Sequence, residues 1–295
     1  MLLWQALILG LIQGVGELFP VSSLAQTILL PAMMGWPINQ GGTDFLTFVV
    51  ALHLATAVAL LIYFWKDWRS ILRAYAGSLR RGKLVYDSAS KFAWLLVAGT
   101  VVVGGVGLVF EKKFRVFFDD PHYYWLVAVI LIVNGGGMIF GDYLKLRAAK
   151  REGSGGSEES AARAAHLSRA EDLSFPQGTA IGAAQTLALF PGVSRSGVTI
   201  LAGLLAGLNY ESACRFAFML ATPVIGLAAL LKVPALLKPA ARHDLSLALP
   251  AALLAGVTSY LSVAFLMRYF RHHRLTPFGC YCIVVGAVAL LVLRA

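Results

Sequence analysis

Long apolar segments alternate with short polar segments along the chain, and the apolar segments are of two kinds. Six are continuous and have the roughly 20 residues that a helix needs to cross a bilayer. The spans predicted from them are 44–65, 92–110, 123–145, 211–237, 247–268 and 275–294. Two more segments, 1–31 and 177–208, are interrupted by glycine and proline. A broken helix in a bilayer must hide its free backbone groups, so both are predicted to be re-entrant helix–loop–helix elements.

The composition agrees with a membrane protein. Hydrophobic residues make up 58% of the chain and charged residues 14%, whereas soluble domains are about 45–50% apolar and about 25% charged. The sequence therefore predicts an all-α polytopic membrane protein. The net charge of +10 is assigned to basic loops and not to a nucleic-acid partner. No cleavable signal peptide is expected, because the N-terminus lacks a basic region.

The two halves of the chain share residues at one constant offset. Gly10, Gln13, Val21 and Ser22 of the first half correspond to Gly182, Gln185, Val193 and Ser194 of the second. Each half is then one re-entrant helix pair followed by three transmembrane helices, and the odd number of spans inverts the second half. The single membrane domain 1–295 is predicted to divide into a first repeat (1–147), a cytoplasmic linker (148–175) and an inverted second repeat (176–295). Such repeats place the functional site at their interface, inside the membrane.

Basic loops set the predicted orientation. The segments 66–91, 145–175 and 268–274 carry most of the lysines and arginines between spans, whereas 111–122 and 238–246 carry fewer. The first group is therefore assigned to the cytoplasmic side. The first re-entrant element then enters from the outer side and the second from the cytoplasmic side.

The first re-entrant segment holds a carboxylate, which is costly to place in a membrane and usually marks a functional site. Glu17 follows Gln13 by four residues and shares its helix face. It is predicted to face a polar cavity, bind a cation or act as a base; the alternative is a buried carboxyl bonded to a loop amide. Ser22 and Ser23 follow Pro20, where they cap the next helix and can present its N–H groups to an anion.

The second re-entrant segment holds Arg195 between Ser194 and Ser196, with Gly192 and Gly197 on either side. Guanidinium matches phosphate oxygens, and glycines let the backbone approach a ligand, so this is predicted to be a phosphate-binding loop. The alternative is a structural ion pair with Glu17 across the repeat interface. His53, in the middle of a span, is either a hydrogen-bonded core residue or part of the site. Gln185 is a further auxiliary candidate.

The two motifs together resemble the undecaprenyl pyrophosphate phosphatase family, the bacitracin-resistance proteins of bacterial inner membranes. The resemblance covers nearly the whole chain and rests on Gln13…Glu17, Pro-Val-Ser-Ser at 20–23 and Pro-Gly-Val-Ser-Arg-Ser-Gly at 191–197. It implies two inverted repeats and hydrolysis of undecaprenyl diphosphate, a polyprenyl diphosphate lipid, to the monophosphate in lipid-carrier recycling for cell-wall synthesis. It also implies a multi-pass inner-membrane location, a site open to the outer side, and a divalent cation, Mg²⁺ or Ca²⁺. A homodimer is a further expectation.

Position by position, the resemblance assigns catalysis and phosphate binding to Glu17, Ser23 and Arg195, with Glu17 as the candidate metal ligand. The accessory, substrate-binding positions are Gln13, Ser22, Ser194, Ser196, Gly192 and Gly197.

The chain departs from the family pattern at a fourth catalytic position, where Gln26 replaces a histidine. Glutamine forms hydrogen bonds but exchanges no proton near neutral pH. Cys282 and Val49 are further departures, from arginine and an acidic residue. Three interpretations stay open: a phosphatase with reduced or altered activity, a transporter, flippase or binding protein for a phosphorylated polyprenyl carrier, and an active-site variant of a normal phosphatase.

Overall fold

A computed structural model describes residues 1–38, 42–154, 170–236 and 242–294. Within these ranges the chain forms helices and short 3-10 turns and no strand, which confirms the all-α prediction. The helices are α1 Leu3–Gly16, α2 Ser23–Met33, α3 Thr43–Tyr63, α4 Trp65–Arg81, α5 Ser88–Asp119, α6 Tyr124–Ser154, α7 Phe175–Ala184, α8 Arg195–Leu205, α9 Tyr210–Leu236, α10 Arg242–Tyr269 and α11 Thr276–Arg294.

Five helices are long and apolar enough to cross a membrane, and they match five predicted spans. They contain the segments Ser88–Phe110, Pro121–Arg147, Tyr210–Val233, Ser246–Tyr269 and Thr276–Leu293. Their outer surfaces carry exposed leucines, such as Leu253 and Leu291, as a lipid-facing surface requires. The chain is a polytopic membrane protein.

The sixth predicted span, 44–65, corresponds to α3, which runs directly into α4 at a bend of 83°. The sequence predicts a connecting loop over 66–91, whereas most of this segment is helical in the structure. The pattern missed α4 because a helix of mixed basic and apolar residues has no continuous apolar run.

The two broken segments are short helix pairs. The turn 17–22 separates α1 from α2, and a 3-10 helix, Gln185–Leu189, and a further turn separate α7 from α8. These four helices have 10 to 14 residues each, fewer than the roughly 20 that a full crossing needs. Within each pair the two helices pack against each other, as the re-entrant prediction requires.

The packing partners of the two halves are reciprocal. Helix α1 packs on α10 of the second half, and α7 packs on α5 of the first. Helices α6 and α11 pack closely where Gly135 meets Gly279, so that a Cβ on Gly135 would lie 2.5 Å from the Gly279 carbonyl oxygen. Small residues allow such close helix contacts in membranes. The inverted orientation and the repeat boundaries stay predictions, and the linker residues 155–169 lie outside the described residues.

Candidate functional site

The turn that starts α2 holds its hydroxyl residues in a constrained geometry. Ser22 has φ +61°, the one non-glycine residue with positive φ in the described part of the chain. Its Oγ accepts a hydrogen bond from the Ala25 amide at 3.4 Å and so caps α2. A left-handed serine costs free energy, and such residues cluster at functional sites. The cap prediction is confirmed for Ser22, whereas Ser23 is the first residue of α2 and its hydroxyl donates to Glu17.

The turn that starts α8 is also capped by a serine, here in an extended backbone conformation. Ser194 caps the helix by accepting from the Gly197 amide at 3.2 Å, and its own amide donates to Asn134 Oδ1 at 3.1 Å. Gly192 has φ +102°, and a Cβ there would lie 2.7 Å from the Val127 carbonyl oxygen. Only glycine allows this turn to lie against α6. Asn134 was missed by the sequence analysis, although a polar residue inside a predicted span is the signal that could have found it.

The two turns meet inside the protein. The guanidinium of Arg195 forms an ion pair with the carboxylate of Glu17, 178 residues away in sequence. Beside this pair, Ser196 Oγ donates to the Phe19 carbonyl oxygen at 3.1 Å. The predicted alternative of an Arg195–Glu17 pair between the halves therefore describes the geometry. It does not exclude phosphate binding, because an anion can compete with Glu17 for the guanidinium.

Glu17 lies at the centre of a buried polar network and is 8% exposed. Its Oε2 accepts hydrogen bonds from Gln13 Nε2, at 2.9 Å, and from Ser23 Oγ. A serine hydroxyl that donates to a carboxylate has a base in contact with it, which is the arrangement that activates an oxygen nucleophile. The sequence showed no such base next to Ser23, because Glu17 and Ser23 lie on opposite sides of a turn.

His53 belongs to the site. Its Nε2 lies 3.5 Å from Glu17 Oε2, and its Nδ1 donates to the Val49 carbonyl oxygen at 2.9 Å. Since Nδ1 carries a hydrogen, Nε2 is an acceptor with a free lone pair in the neutral imidazole. In the imidazolium form it is a donor towards Glu17. The imidazole therefore has the backbone hydrogen bond of a core residue and also lies beside Glu17 in the site, and its role in the chemistry stays a prediction.

These groups line a cavity of about 180 Å³, the central cavity. Its polar lining is Glu17, Ser22, Ser23, His53, Gln185, Ser194 and Arg195. Val103 of α5 and Val224 of α9 contribute to its apolar wall. Pockets for drug-sized ligands have about 300–1,000 Å³, so this space suits a compact polar group and not a lipid tail.

Gln185 is buried in the wall of the central cavity with an unsatisfied side chain. It is 1% exposed, and neither Oε1 nor Nε2 has a hydrogen-bond partner among the described residues. Buried amides are nearly always hydrogen-bonded, so an exception needs an explanation.

Gln26 does not line the central cavity. Its Nε2 donates to the Val21 carbonyl oxygen at 3.3 Å, and its Oε1 accepts from the Tyr281 hydroxyl at 3.4 Å. The structure also places four predicted substrate-binding residues behind the lining, where they support it: Gln13, Ser196, Gly192 and Gly197. The predicted site is therefore brought together around Glu17, with Gln26 to one side.

The described residues contain no group of three or more histidine, cysteine, aspartate or glutamate side chains that could hold a metal ion. Glu17 is the carboxylate of the central cavity, with His53 beside it. Mg²⁺ is usually bound by one or two carboxylates together with substrate phosphates. Glu17 fits that minimal role once Arg195 turns to an anion.

The central cavity has the features of an anion site. The N-terminal residues of α2 and α8 both line it, and helix N-termini attract anions through their free N–H groups and the helix dipole. Arg195 adds a full positive charge, and the Glu17 carboxylate accepts from the Ser23 hydroxyl, which is the arrangement of a base beside an oxygen nucleophile. This combination suits transfer or hydrolysis of a phosphoryl group.

Comparison with known proteins gives a consistent result. The family model for "Bacitracin resistance protein BacA" matches residues 6–288. "Undecaprenyl-diphosphatase 2" of Chromobacterium violaceum is 42% identical, with 97% of each chain covered. "Undecaprenyl-diphosphatase 2" of Frankia alni is 40% identical, with 96% of each chain covered. "Undecaprenyl-diphosphatase" of Mycobacterium avium is 40% identical, over 97% of this chain and 96% of that protein.

Proposed function

The chain belongs to the bacitracin resistance protein BacA family, and we infer that it is an undecaprenyl-diphosphatase. It removes the terminal phosphate of undecaprenyl diphosphate and leaves undecaprenyl phosphate. The observation that carries this inference is the Glu17 carboxylate, held between the Ser23 hydroxyl and the Arg195 guanidinium in the wall of the central cavity. Relatives at 40–42% identity over nearly the full chain carry the same name.

The diphosphate group binds in the central cavity and the polyprenyl chain stays in the bilayer. Arg195 exchanges its ion pair with Glu17 for phosphoryl oxygens, which match the planar guanidinium fork. The N-termini of α2 and α8, capped by Ser22 and Ser194, add backbone donors on both sides. The ligand-free ion pair keeps Arg195 oriented until the anion arrives.

Ser23 is the proposed nucleophile. Its Oγ forms a bond to the terminal phosphorus while its proton passes to Glu17. The bond from that phosphorus to the bridging oxygen breaks, and undecaprenyl phosphate leaves with the electron pair. Water then attacks the phosphorus of the phosphoserine and the bond from phosphorus to Ser23 Oγ breaks. Glu17 returns its proton to Oγ, and phosphate leaves with both hydrogens of the water. Arg195 and the helix N-termini stabilise the charge that develops on the transferred phosphoryl group.

His53 supplies an imidazole, which can take up and release a proton, whereas the amide of Gln26 cannot. Its Nε2 lies 3.5 Å from Glu17 Oε2, and a small approach of the two side chains on substrate binding would bring them within hydrogen-bond reach for proton exchange. In this proposal His53, on α3, provides the imidazole of the central cavity. The chain therefore stays active although Gln26 replaces the family histidine on α2.

A divalent cation, Mg²⁺ or Ca²⁺, is proposed to be held by Glu17 together with the diphosphate oxygens. When bound, it would neutralise charge on the phosphoryl group. The inner membrane is the proposed location, with the central cavity open to the outer side.

The test is phosphate release from undecaprenyl diphosphate by the purified protein and by S23A and Q26H. Release by the wild type, with a large loss in S23A, supports the proposal. Release only by Q26H would instead make this chain an active-site variant of a phosphatase. If neither the wild type nor Q26H releases phosphate, and the protein moves the lipid across liposome membranes, the proposed function would be transport and not hydrolysis.

A further inference from the structure

Helix α4 presents three different surfaces around its axis. Its buried surface includes Ile71 and Ala74. A second, exposed surface carries Trp65, Leu72 and Leu79, which are 55%, 58% and 57% exposed. These three are seven residues apart, a spacing that keeps side chains on one line because an α-helix drifts by only about 20° per seven residues. The apolar line points away from the protein.

The third surface of α4 is cationic and lies beside the apolar line. At about 100° per residue, Arg69, Arg73 and Arg80 project roughly 40–80° from the direction of Trp65. All three are exposed, and no described carboxylate forms an ion pair with them. The cationic surface is therefore free of an acidic partner within the described residues.

The direction of α4 suits a membrane surface. Helix α3 ends in lipid-exposed residues such as Ile62, and the bend of 83° turns α4 nearly perpendicular to it. Two contacts hold α4 in this direction: the Asp67 carboxylate pairs with Arg215 at 2.5 Å, and Trp94 Nε1 donates to Ser78 Oγ at 3.0 Å. If α3 crosses the bilayer along its normal, this bend places α4 close to the plane of the bilayer surface.

We propose that α4 is a docking surface for acidic phospholipids. Trp65, Leu72 and Leu79 enter the acyl region, and the guanidinium groups of Arg69, Arg73 and Arg80 bind the headgroup phosphates. An apolar line flanked by exposed arginines is the pattern of an interfacial helix, and its charge is complementary to an anionic lipid surface. Since α4 continues directly from α3, bound lipids anchor the helix that carries His53.

The test uses a fluorescent label at L72C, with the exposed Cys280 replaced in C280S. The labelled protein is placed in phosphatidylcholine vesicles that contain phosphatidylglycerol, and one lipid at a time carries brominated acyl chains that quench the label. At equal mole fraction, brominated phosphatidylglycerol is expected to quench more. R69Q/R73Q/R80Q should abolish the preference, because each cation near a surface contributes about fivefold in lipid binding.

The matched control removes three exposed cations elsewhere, R147Q/R268Q/R274Q, and should keep the preference. If the triple variant of α4 does not fold, added salt should weaken the preference of the wild-type surface. Equal quenching by the two lipids, or a preference that survives in R69Q/R73Q/R80Q, would overturn the proposal. If the label at position 72 became less accessible to both brominated lipids as the protein concentration rose, the exposed surface of α4 would instead be assigned to contact with a second copy of the chain.

Gln185 carries a second inference from an independent observation, the mismatch between the two halves. At the constant offset between them, Gln13 corresponds to Gln185 and Glu17 corresponds to Leu189. Gln13 Nε2 donates to Glu17, whereas Leu189 offers Gln185 no acceptor. The second half therefore keeps the amide and lacks the carboxylate that would satisfy it.

We infer that the Gln185 amide is a ligand group for the diphosphate, an inference that rests on the proposed function. A phosphoryl oxygen only accepts, so it satisfies Nε2, and Oε1 requires a donor such as water. A bound diphosphate with one water meets both requirements. The unsatisfied amide lowers the stability of the ligand-free protein. It also provides a donor that is already oriented when the substrate binds.

The substitution Q185L separates this role from a structural one. Leucine has a volume similar to that of glutamine but no polar group to leave unsatisfied. The thermal midpoint of ligand-free Q185L is therefore expected to equal or exceed that of the wild type. Phosphate release should fall about 10²–10³-fold, as for the loss of one oriented donor. Q185E should be at least as inactive, because a carboxylate repels the diphosphate. Q5L, a buried glutamine whose Oε1 accepts from the Leu2 amide, is the matched control and should keep its activity.

Phosphate release by Q185L within about threefold of the wild type would overturn this inference while the wild-type activity still supports the proposed function. Loss of activity together with a lowered thermal midpoint would also overturn it, because the amide would then be structural. Absence of release by the wild type is a failure of the proposed function itself, so the two failures are distinguishable.

Discussion

The Ser23 hydroxyl donates to the Glu17 carboxylate across the break between α1 and α2. The two residues are six apart in sequence, yet the left-handed turn at Ser22 brings them together in the wall of the central cavity. The proposed nucleophile and its proposed base are thus positioned by a strained turn and not by one helix face. The break in the helix is part of the site.

Loss of the base is expected to remove most activity. In E17Q, the amide still accepts one hydrogen bond but takes no proton from Ser23 and leaves the Arg195 guanidinium without its counter-charge. Phosphate release should fall about 10²–10⁴-fold, the contribution of an acid–base group. E211Q, which removes an exposed carboxylate paired with Arg271, is the control and should change release little. Comparable losses in both variants would contradict the central role of Glu17.

The charge and the shape of Arg195 are separable. R195K keeps a positive charge but loses the planar fork, so the KM for undecaprenyl diphosphate should rise and partial activity should remain. R195Q loses the charge as well and should be nearly inactive. Steady-state kinetics of the two variants provide the measurement. Equal activity of R195K and R195Q would show that charge at this position does not bind the substrate.

The roles of His53 and Gln26 can be compared directly. Because His53 contacts Glu17 and Gln26 lies outside the central cavity, H53Q should lower phosphate release by about 10²–10⁴-fold. Q26H should change release by less than the substitution of His53. The pH dependence of kcat is the second readout, since H53Q replaces an imidazole that can exchange a proton with an amide that cannot. The opposite ranking of the two variants would move the acid–base role to position 26.

The turn before Arg195 is expected to tolerate no side chain at Gly192. In G192A, a Cβ would lie 2.7 Å from the Val127 carbonyl oxygen and 2.8 Å from Ile130 Cβ, at a φ of +102°. Strained backbone positions cost about 1–3 kcal/mol each, so the midpoint of thermal unfolding and the activity should both fall.

The control is G136A in α6, where an added Cβ has nothing within 4 Å. Alanine is favoured over glycine in a helix interior by about 0.5–1 kcal/mol, so G136A should be neutral or stabilising. A G192A variant as stable as G136A would show that the turn can move away from α6.

The sequence by itself determined the class of protein, the five long spans and the two helix breaks. These features depend on local properties: apolar length, glycine and proline positions, and the serines that cap α2 and α8. The motifs also identified Glu17, Ser23 and Arg195 before any contact was known. Local patterns are sufficient here because a bilayer restricts the chain to helices whose lengths are set by its thickness.

Only the tertiary structure decided which of these residues meet. It paired Glu17 with Arg195, brought His53 into the central cavity, left Gln26 outside it and kept the Gln185 amide without a partner. It also showed that α4 is a helix and turned it by 83° from α3. Contacts between residues far apart in sequence depend on how helices pack and on which way each side chain points, and neither is encoded in a local pattern of apolar and polar positions.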